Sequence, residues 1–191
     1  MKKLIKRREI PIGNSVSNHP LLDRLYCARH IQNTEELDRT LKSMLNPNQL
    51  YGIEQAVNLL VEAYQQQQKI VIVGDFDADG ATSTALSVLA LKQLCFADVD
   101  YLVPNRFEQG YGLSIPVAEM AIEKGVQLLM TVDNGVSSFE GVAFLKEKGV
   151  RVLVTDHHLP PETLPPADAI VNPNLSQCGF PSKSLAGVCV A

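Results

Sequence analysis

Residues 150–158, Val-Arg-Val-Leu-Val-Thr-Asp-His-His, place one carboxyl group and two imidazoles directly behind an apolar, β-branched run. Such a run predicts a buried strand, so Asp156, His157 and His158 emerge together from its carboxyl end. Packing does not explain three successive groups that can bind metal or transfer protons. The stretch therefore predicts a functional site at the edge of a sheet.

From residue 69 onwards, strand-like and helix-like segments alternate along the chain. The predicted strands are 70–73, 99–103, 127–132, 150–155 and 169–171, and the predicted helices are 81–94, 115–124 and 138–148. Repeated strand–helix–strand units with short links require parallel strands that are covered by helices on both faces. The predicted fold class is therefore α/β, with a doubly wound, mainly parallel sheet of about five strands.

The region before this alternation predicts a partly helical N-terminal extension. Residues 20–29 favour one short helix, and a capping-box pattern at 33–36 predicts the start of another, which leucine and methionine side chains continue to Leu45. A third amphipathic stripe covers 53–64. We place an N-terminal arm and helix in 1–50 and the α/β domain in 51–191.

Composition and charge exclude several classes of protein. The 191 residues carry a formal net charge of −4, which gives no general nucleic-acid footprint, although a metal centre can neutralise phosphates locally. Apolar stretches are only strand-length, so no membrane span is predicted. The basic start at 1–8 lacks the apolar core of an export signal and predicts a solvated tail. Four scattered cysteines without a C-x-x-C pair argue against structural zinc and fit reduced cytoplasmic thiols.

Acidic residues follow two other predicted strands. Asp75, Asp77 and Asp79 follow the first strand, and Asp133 follows the third. In a parallel sheet all strand-to-helix loops open on one edge, where ligands bind. The sequence therefore predicts that these carboxylates and the 156–158 segment are neighbours in space, although dozens of residues separate them along the chain.

The segment 74–80, Gly-Asp-Phe-Asp-Ala-Asp-Gly, predicts a cation site. If the segment is extended, its three carboxylates share one side and repel one another unless a cation lies between them. Helix capping explains one of these aspartates but not three. A calcium-binding EF-hand loop needs a carboxylate about six residues after Gly80, where Leu86 stands. Oxygen ligands together with an imidazole favour Mn²⁺ or Mg²⁺.

Asp133 and the two histidines leave their individual roles open. Asp133 is placed to bridge two ions, which together polarise a phosphoryl group and activate water. One of His157 and His158 ligates metal while the other contacts the phosphate. The alternative interpretation of Asp-Asn-Gly at 133–135 is a common turn.

A glycine-rich segment at 105–112 follows the second predicted strand and opens on the same edge. Arg106 is placed to hold a phosphate through two hydrogen bonds, and Tyr111 to stack on a base or sugar. Gly112 lets the backbone approach a ligand closely. An ordinary surface turn is the alternative here, as it is for Asn-Pro-Asn at 172–174 after the last strand.

Four motifs in this order resemble the DHH phosphoesterases. They are Gly-Asp-Phe-Asp-Ala-Asp-Gly at 74–80, Thr-Val-Asp-Asn-Gly at 131–135, Thr-Asp-His-His at 155–158 and Leu-Ala-Gly-Val at 185–188. Together with Pro-Asn-Arg-Phe-Glu-Gln-Gly-Tyr-Gly-Leu at 104–113, they are similar to the bacterial branch that degrades single-stranded DNA in the 5′→3′ direction. The resemblance covers essentially the whole chain.

This resemblance implies a two-metal exonuclease that prefers Mn²⁺ and tolerates Mg²⁺. The implied metal ligands are Asp77, Asp79, Asp133 and His157, and the implied catalytic supports or phosphate contacts are Asp75, Asp156 and His158. The resemblance also implies a cytoplasmic monomer that acts on single-stranded DNA in repair and recombination, with single-strand-binding protein and a RecQ-type helicase as partners.

The resemblance further implies that the chain is an N-terminal fragment. Members of this branch continue past the position of Ala191 with another metal-ligand aspartate, a DHHA1-type domain and an OB-fold that grips single-stranded DNA. The DHH domain is therefore expected to be incomplete at its carboxyl end. One alternative is a DHH phosphoesterase for oligoribonucleotides, cyclic dinucleotides or pyrophosphate, which Asp75 and the 105–113 segment disfavour. The other is a metal- or nucleic-acid-binding remnant without turnover.

Overall fold

The computed structural model describes residues 4, 6, 15–38, 40–105 and 107–191. The chain divides into two compact units, Met1–Asn46 and Pro47–Ala191. The basic stretch predicted as a solvated tail lies largely outside the described residues. Within the described part of the chain, no helix combines the length and the apolar character needed to cross a membrane.

The first unit contains helix α1, Pro20–Cys27, where the sequence predicts a short helix. Of the two capping-box contacts predicted further along, the one from the cap side chain is present, whereas the Glu36 side chain accepts from the N–H before the cap. The Glu36 N–H donates to Asn33 Oδ1 at 3.1 Å, and the Gln32 N–H donates to Glu36 Oε1 at 3.0 Å.

The prediction of a longer helix after this capping box is wrong. The described residues of this stretch form two short 3-10 turns instead, Thr34–Leu37 and Leu41–Ser43. Leu41 is 85% exposed and Met44 is 72% exposed, so these side chains of the predicted apolar stripe are not packed in a core. A short helix without tertiary packing is marginal in water, which explains why the periodicity alone does not produce one.

The second unit is built on one five-stranded sheet in the order β2-β1-β3-β4-β5. The strands are β1 Lys69–Val73, β2 Asp98–Leu102, β3 Leu128–Val132, β4 Arg151–Thr155 and β5 Ala169–Val171, and the helices are α2 Ile53–Gln65, α3 Ala78–Gln93, α4 Ile115–Glu123, α5 Phe139–Glu147 and α6 Gly187–Val190. All neighbouring strands pair in parallel. The predicted fold class is confirmed, and the sequence did not predict the one-turn helix α6 or the 3-10 turn Pro47–Gln49.

Helices cover both faces of this sheet because β1 alternates its buried side chains between two cores. Ile70 and Ile72 belong to the core that α2 and α3 share, whereas Val71 and Val73 belong to the core under α4 and α5. All four side chains are fully buried, and each such burial stabilises the fold by about 1.5–3 kcal/mol.

The strand order fixes where a ligand site can lie. The chain leaves β1 to form β2 on one side and then crosses to β3 on the other side of β1. Loops diverge at such a switch point and leave a crevice outside the carboxyl ends of the strands. The segments after β1, β3 and β4 carry the predicted acidic and histidine residues, and all three reach this edge.

Candidate metal centre

Asp133 is the first residue after β3 and is 1% exposed. Its φ of +63° lies in the left-handed region, which aspartate tolerates better than most side chains. The Asp133 N–H donates to the Thr155 carbonyl at 3.1 Å. The neighbouring Asn134 donates from Nδ2 to the carbonyls of Val73 at 3.0 Å and Val132 at 2.9 Å. These bonds join β1, β3 and β4 and hold the Asp133 carboxyl group at the switch point.

His157 presents a ring nitrogen to this buried carboxylate. His157 Nδ1 lies 2.6 Å from the Leu185 carbonyl, which can only accept, so Nδ1 carries the proton. In the neutral ring, Nε2 therefore offers a lone pair, and it lies 3.1 Å from Asp133 Oδ1. Among the described residues, Asp133 Oδ1 accepts no hydrogen bond. Two hydrogen-bond acceptors, His157 Nε2 and Asp133 Oδ1, therefore face each other, and a cation bound by both would satisfy them.

The electrostatics of Asp133 indicate the same need for a cation. Burial, followed by the negative charge of Asp77, raises the pKa of Asp133 to about 6. His157 opposes this rise in the pKa and Asp79 adds to it. A divalent ion at this position would reverse the shift, because it favours the ionised carboxylate.

Asp79 and Gly187 complete the same side of the centre. Asp79 Oδ2 lies 4.0 Å from His157 Nε2 and accepts a hydrogen bond from the Gly187 N–H at 3.0 Å. A Cβ atom on Gly187 would stand 2.1 Å from Asp133 Oδ1. Only glycine therefore lets the start of α6 approach the two carboxylates. The motif at 185–188 signalled this segment, but the sequence reasoning assigned Gly187 no role.

The prediction that residues 75–79 are extended is wrong. Helix α3 begins at Ala78, three residues before the predicted start at Ala81, and Asp77 is its N-cap, with Oδ1 accepting from the Gly80 N–H at 2.9 Å. Asp79 lies in the first helical turn, where a carboxylate is favourable to the helix dipole. Asp75 is buried, and its Oδ1 accepts from the Phe76 N–H at 2.8 Å. The three carboxylates therefore do not share one side by strand alternation.

Asp156 organises the loop after β4. It is 1% exposed, and its Oδ1 accepts from the backbone N–H groups of His157 at 2.7 Å and His158 at 3.0 Å. Its Oδ2 accepts from the Val136 N–H at 2.9 Å, on the loop after β3. The predicted supporting position of Asp156 thus joins two of the three loops of the site.

His158 lies on the exposed side of this loop. Its Nδ1 is 2.8 Å from Asp156 Oδ1, and its Nε2 is 3.5 Å from the Tyr111 hydroxyl. Burial lowers the pKa of His158, but the hydrogen bond to Asp156 and the surrounding carboxylates outweigh it and raise the pKa above its ordinary value. Ligand atoms of Asp133, His157 and His158 fall within 4.8 Å of one another, yet the Asp156 bond commits one of the His158 nitrogens.

The segment after β2 reaches the site through Tyr111. Burial and the charge of Asp75 raise the pKa of Tyr111 to about 12, which keeps the hydroxyl protonated. Gly112 has a φ of +67°, and the next N–H, of Leu113, donates to Ser138 Oγ at 3.2 Å. The backbone is thereby anchored close to the start of α5. Arg106, the predicted phosphate contact, lies outside the described residues.

The sequence left open whether the turn after β5, residues 172–174, is part of the site or an ordinary surface turn. Asn172 Nδ2 donates to the His158 carbonyl at 2.9 Å, and Asn174 Nδ2 donates to the His157 carbonyl at 2.6 Å. The alternation of strands and loops already placed this turn on the same edge of the sheet. That position, together with two amide side chains, is the signal that could have identified it.

Comparison with known proteins reveals similarity over the α/β domain and, for one relative, over the whole chain. Residues 69–191 match the family model described as the DHH family, N-terminal domain. The chain is 95% identical over 191 residues to the single-stranded-DNA-specific exonuclease RecJ of Haemophilus influenzae, covering 33% of that protein. It is 58% identical to the RecJ of Escherichia coli over 172 residues, which is 90% of this chain and 30% of that protein. The chain thus spans about a third of the length of these relatives.

Solved structures are similar to most of the chain. A crystal structure of exonuclease RecJ bound to manganese is 39% identical with a TM-score of 0.69, over 77% of this chain and 37% of that one. The RecJ of Thermus thermophilus in complex with Mn²⁺ is 35% identical with a TM-score of 0.66, over 86% of this chain and 22% of that one.

Proposed function

Because the chain belongs to the DHH family, we propose that it forms the metal-binding wall of an exonuclease that digests single-stranded DNA in the 5′→3′ direction. Relatives named as single-stranded-DNA-specific exonucleases, and a solved relative bound to manganese, support this proposal. Since these relatives are about three times as long as the chain, we propose the nuclease activity for the longer protein.

One observation carries the proposed metal centre. His157 Nε2 and Asp133 Oδ1 lie 3.1 Å apart, and the other ring nitrogen is committed to the Leu185 carbonyl. Two ligands at right angles around Mg²⁺ or a similar ion would be about 3 Å apart. A metal-ligating histidine commonly donates its second N–H to a backbone carbonyl, as His157 does.

We propose that Asp77, Asp79, Asp133 and His157 are the metal ligands. The centre would bind two ions, either Mn²⁺ or Mg²⁺. Ions bound there supply an activated water and neutralise the charge that develops on the phosphate. The chain positions these ligands on three loops of a rigid sheet. Asp77 and Asp79 both raise the pKa of Asp133, which is consistent with three carboxylates that share an ion.

The remaining polar residues support the ligands and face the substrate. Asp75 and Asp156 fix the backbones of their loops through the hydrogen bonds to Phe76 and to the two histidines. His158 is half exposed and has a raised pKa, so it suits a hydrogen bond to a phosphate oxygen.

The segment after β2 supplies the proposed contacts with the DNA. Tyr111 is 53% exposed beside His158, and its ring is placed to stack on the terminal nucleoside. Gly112 lets the backbone pass close to the strand, and Arg106 holds a phosphate. Stacking on single-stranded bases tolerates any sequence, which suits an exonuclease.

In the longer protein we propose a DHH domain at 51–191, preceded by an N-terminal arm, and followed by the domains that form the opposite wall. Single-strand-binding protein and a RecQ-type helicase are the proposed partners, because such proteins supply the single strand that is digested. We propose a monomer in the cytoplasm that acts in DNA repair and recombination.

Titration of the chain with Mn²⁺, followed by calorimetry and electron paramagnetic resonance, tests the metal centre. We expect stoichiometric binding that His157→Ala weakens by at least about tenfold, since the substitution removes a ligand. His30→Asn is the matched control, because it removes an imidazole from an exposed turn outside the site. Equal weakening by both substitutions would contradict the assignment.

The activity is tested on the longer protein with 5′-labelled single-stranded DNA and Mn²⁺. We expect mononucleotide release that Asp133→Ala abolishes, and no release from blunt duplex DNA. Turnover of cyclic dinucleotides without turnover of DNA would contradict the nuclease and favour another DHH phosphoesterase. Metal binding without any hydrolysis would indicate a non-catalytic remnant.

A further inference from the structure

The turn after β5 carries two asparagines whose side chains reach the backbone of the histidine loop. Asn172 is fully buried, and its Nδ2 donates to the His158 carbonyl at 2.9 Å. Asn174 is partly buried, and its Nδ2 donates to the His157 carbonyl at 2.6 Å. Each histidine therefore has its carbonyl held by one amide of this turn.

The histidine loop is thereby held from both of its sides. Asp156 accepts the N–H groups of His157 and His158, and the two asparagines donate to the carbonyls of the same residues. With both peptide groups fixed, the backbone of His157 has little freedom to rotate. Its ring position then depends on these bonds as well as on the Leu185 carbonyl.

The turn itself is held by contacts that do not involve Asn174 Nδ2. The Asn174 N–H donates to Asn172 Oδ1 at 2.8 Å, which closes the turn locally. Lys183 Nζ donates to the Pro173 carbonyl at 2.6 Å and to the Cys178 carbonyl at 2.7 Å. The Nδ2 group of Asn174 is therefore not needed to form the turn and is available for the His157 carbonyl.

We propose that Asn174 is a positioning residue that directs His157 Nε2 towards Asp133 Oδ1, while Asn172 holds the backbone of His158. This inference rests on the proposed metal centre and adds residues to which neither the motifs nor the known relatives' names assign a role. Outer partners of metal ligands that fix ligand orientation change metal affinity by about 10–100-fold when they are removed.

A thermodynamic cycle separates this role from general support of the fold. The four proteins are the unchanged chain, Asn174→Ala, His157→Ala and the double variant, each titrated with Mn²⁺ at about neutral pH. Asn174→Ala keeps the backbone N–H that closes the turn, so we expect it to fold. Asn58→Ala is the control, because this asparagine is exposed on α2.

If Asn174 acts through His157, Asn174→Ala weakens Mn²⁺ binding by about tenfold in the unchanged chain and by less than about twofold when His157 is already absent. An equal loss in both backgrounds indicates general loosening of the site and overturns the proposal. No loss in either background overturns it as well, while the His157→Ala result separately decides whether the metal centre exists.

A second measurement needs no metal. Imidazole ¹⁵N resonances of the metal-free chain report which ring nitrogen of His157 carries the proton, and we expect Nδ1. Asn174→Ala should convert this single form into a mixture of the two tautomers, because the ring loses its fixed alignment with the Leu185 carbonyl. An unchanged spectrum in Asn174→Ala overturns the proposal even if Mn²⁺ fails to bind.

Discussion

The loops after β4 and after β1 approach the same buried carboxylate but differ in how they are held. In the β4 loop, Asp156 accepts three backbone N–H groups and is 1% exposed. In the β1 loop, Asp77 is exposed, and its side chain caps helix α3 by accepting from the Gly80 N–H. The difference indicates that hydrogen bonds within the protein organise the β4 loop. The β1 loop instead supplies negative charge, which a bound cation would neutralise.

The largest effect that this comparison predicts is the loss of stability in Asp156→Ala. The substitution leaves the buried N–H group of Val136 and the partly buried N–H groups of His157 and His158 without their acceptor. An unsatisfied buried donor costs about 1–3 kcal/mol, and partly buried donors add to this loss. We expect the free energy of unfolding, measured with urea, to fall by about 3 kcal/mol or more.

Asp98→Ala is the control for this loss. Asp98 pairs with Lys69 at 3.3 Å at the exposed edge of the sheet, and such a surface pair contributes about 0–1 kcal/mol. If Asp156→Ala destabilises the chain no more than Asp98→Ala does, the β4 loop is not organised by this carboxylate and the contrast between the loops fails.

The pH dependence of metal binding tests the carboxylate between the two loops. Burial raises the pKa of Asp133 to about 6, so a proton competes with the ion below that pH. We expect Mn²⁺ affinity to fall by about tenfold per pH unit below about pH 6 and to level off above it. Calorimetric titration from about pH 4.5 to about pH 8 measures this, and a flat profile down to about pH 5 would contradict the role of Asp133.

The stability of the metal-free chain should follow the opposite course. A carboxyl group whose pKa is raised by folding stabilises the fold below its unfolded pKa of about 4 and loses that contribution as the pH rises through about 6. Asp133→Asn removes this titrating group. The difference in the free energy of unfolding between the unchanged chain and Asp133→Asn should therefore change between about pH 4 and about pH 6 and remain constant above about pH 6.

Gly187→Ala tests whether the start of α6 closes the site. The added Cβ would lie 2.1 Å from Asp133 Oδ1, so the carboxylate or the helix must move. We expect Mn²⁺ affinity to fall by about tenfold, as for other changes around ligating groups. Gly179→Ala is the control, because a Cβ there meets nothing within 4 Å. Equal affinities for the two variants would show that α6 yields without disturbing the centre.

These tests concern features that the sequence predicted to different degrees. The β-branched runs and the strand–helix alternation place Asp133 and Asp156 at one edge, because parallel topology leaves no other arrangement of the strand ends. The sequence could not place the Gly187 N–H against Asp79, since 108 positions separate the two residues. Nor could it show that Asp77 caps α3, because extended and helical conformations both accommodate alternating aspartates.

The N-terminal unit illustrates the opposite limit. The Asn33 cap bonds the Glu36 N–H as the residues indicate, yet the α-helix expected after it is absent from the described residues, where Leu41 and Met44 are largely exposed. Local pattern is confirmed where the sheet buries it, as at Ile70 and Val71, whereas in the exposed N-terminal unit it is confirmed by α1 but not by the residues around Leu41.

The smallest expected change in stability, from Asp77→Asn, gives the sharpest test of the β1 loop. Asparagine caps a helix as well as aspartate does, so the hydrogen bond to the Gly80 N–H is retained and unfolding should change by less than about 0.5 kcal/mol. The lost charge lowers the pKa of Asp133 towards its ordinary value, because Asp77 is one of its raising influences. We nevertheless expect weaker Mn²⁺ binding, since a neutral amide is a poorer ligand than a carboxylate. A stable variant with unchanged Mn²⁺ affinity would reduce Asp77 to a helix cap and leave the centre to Asp79, Asp133 and His157.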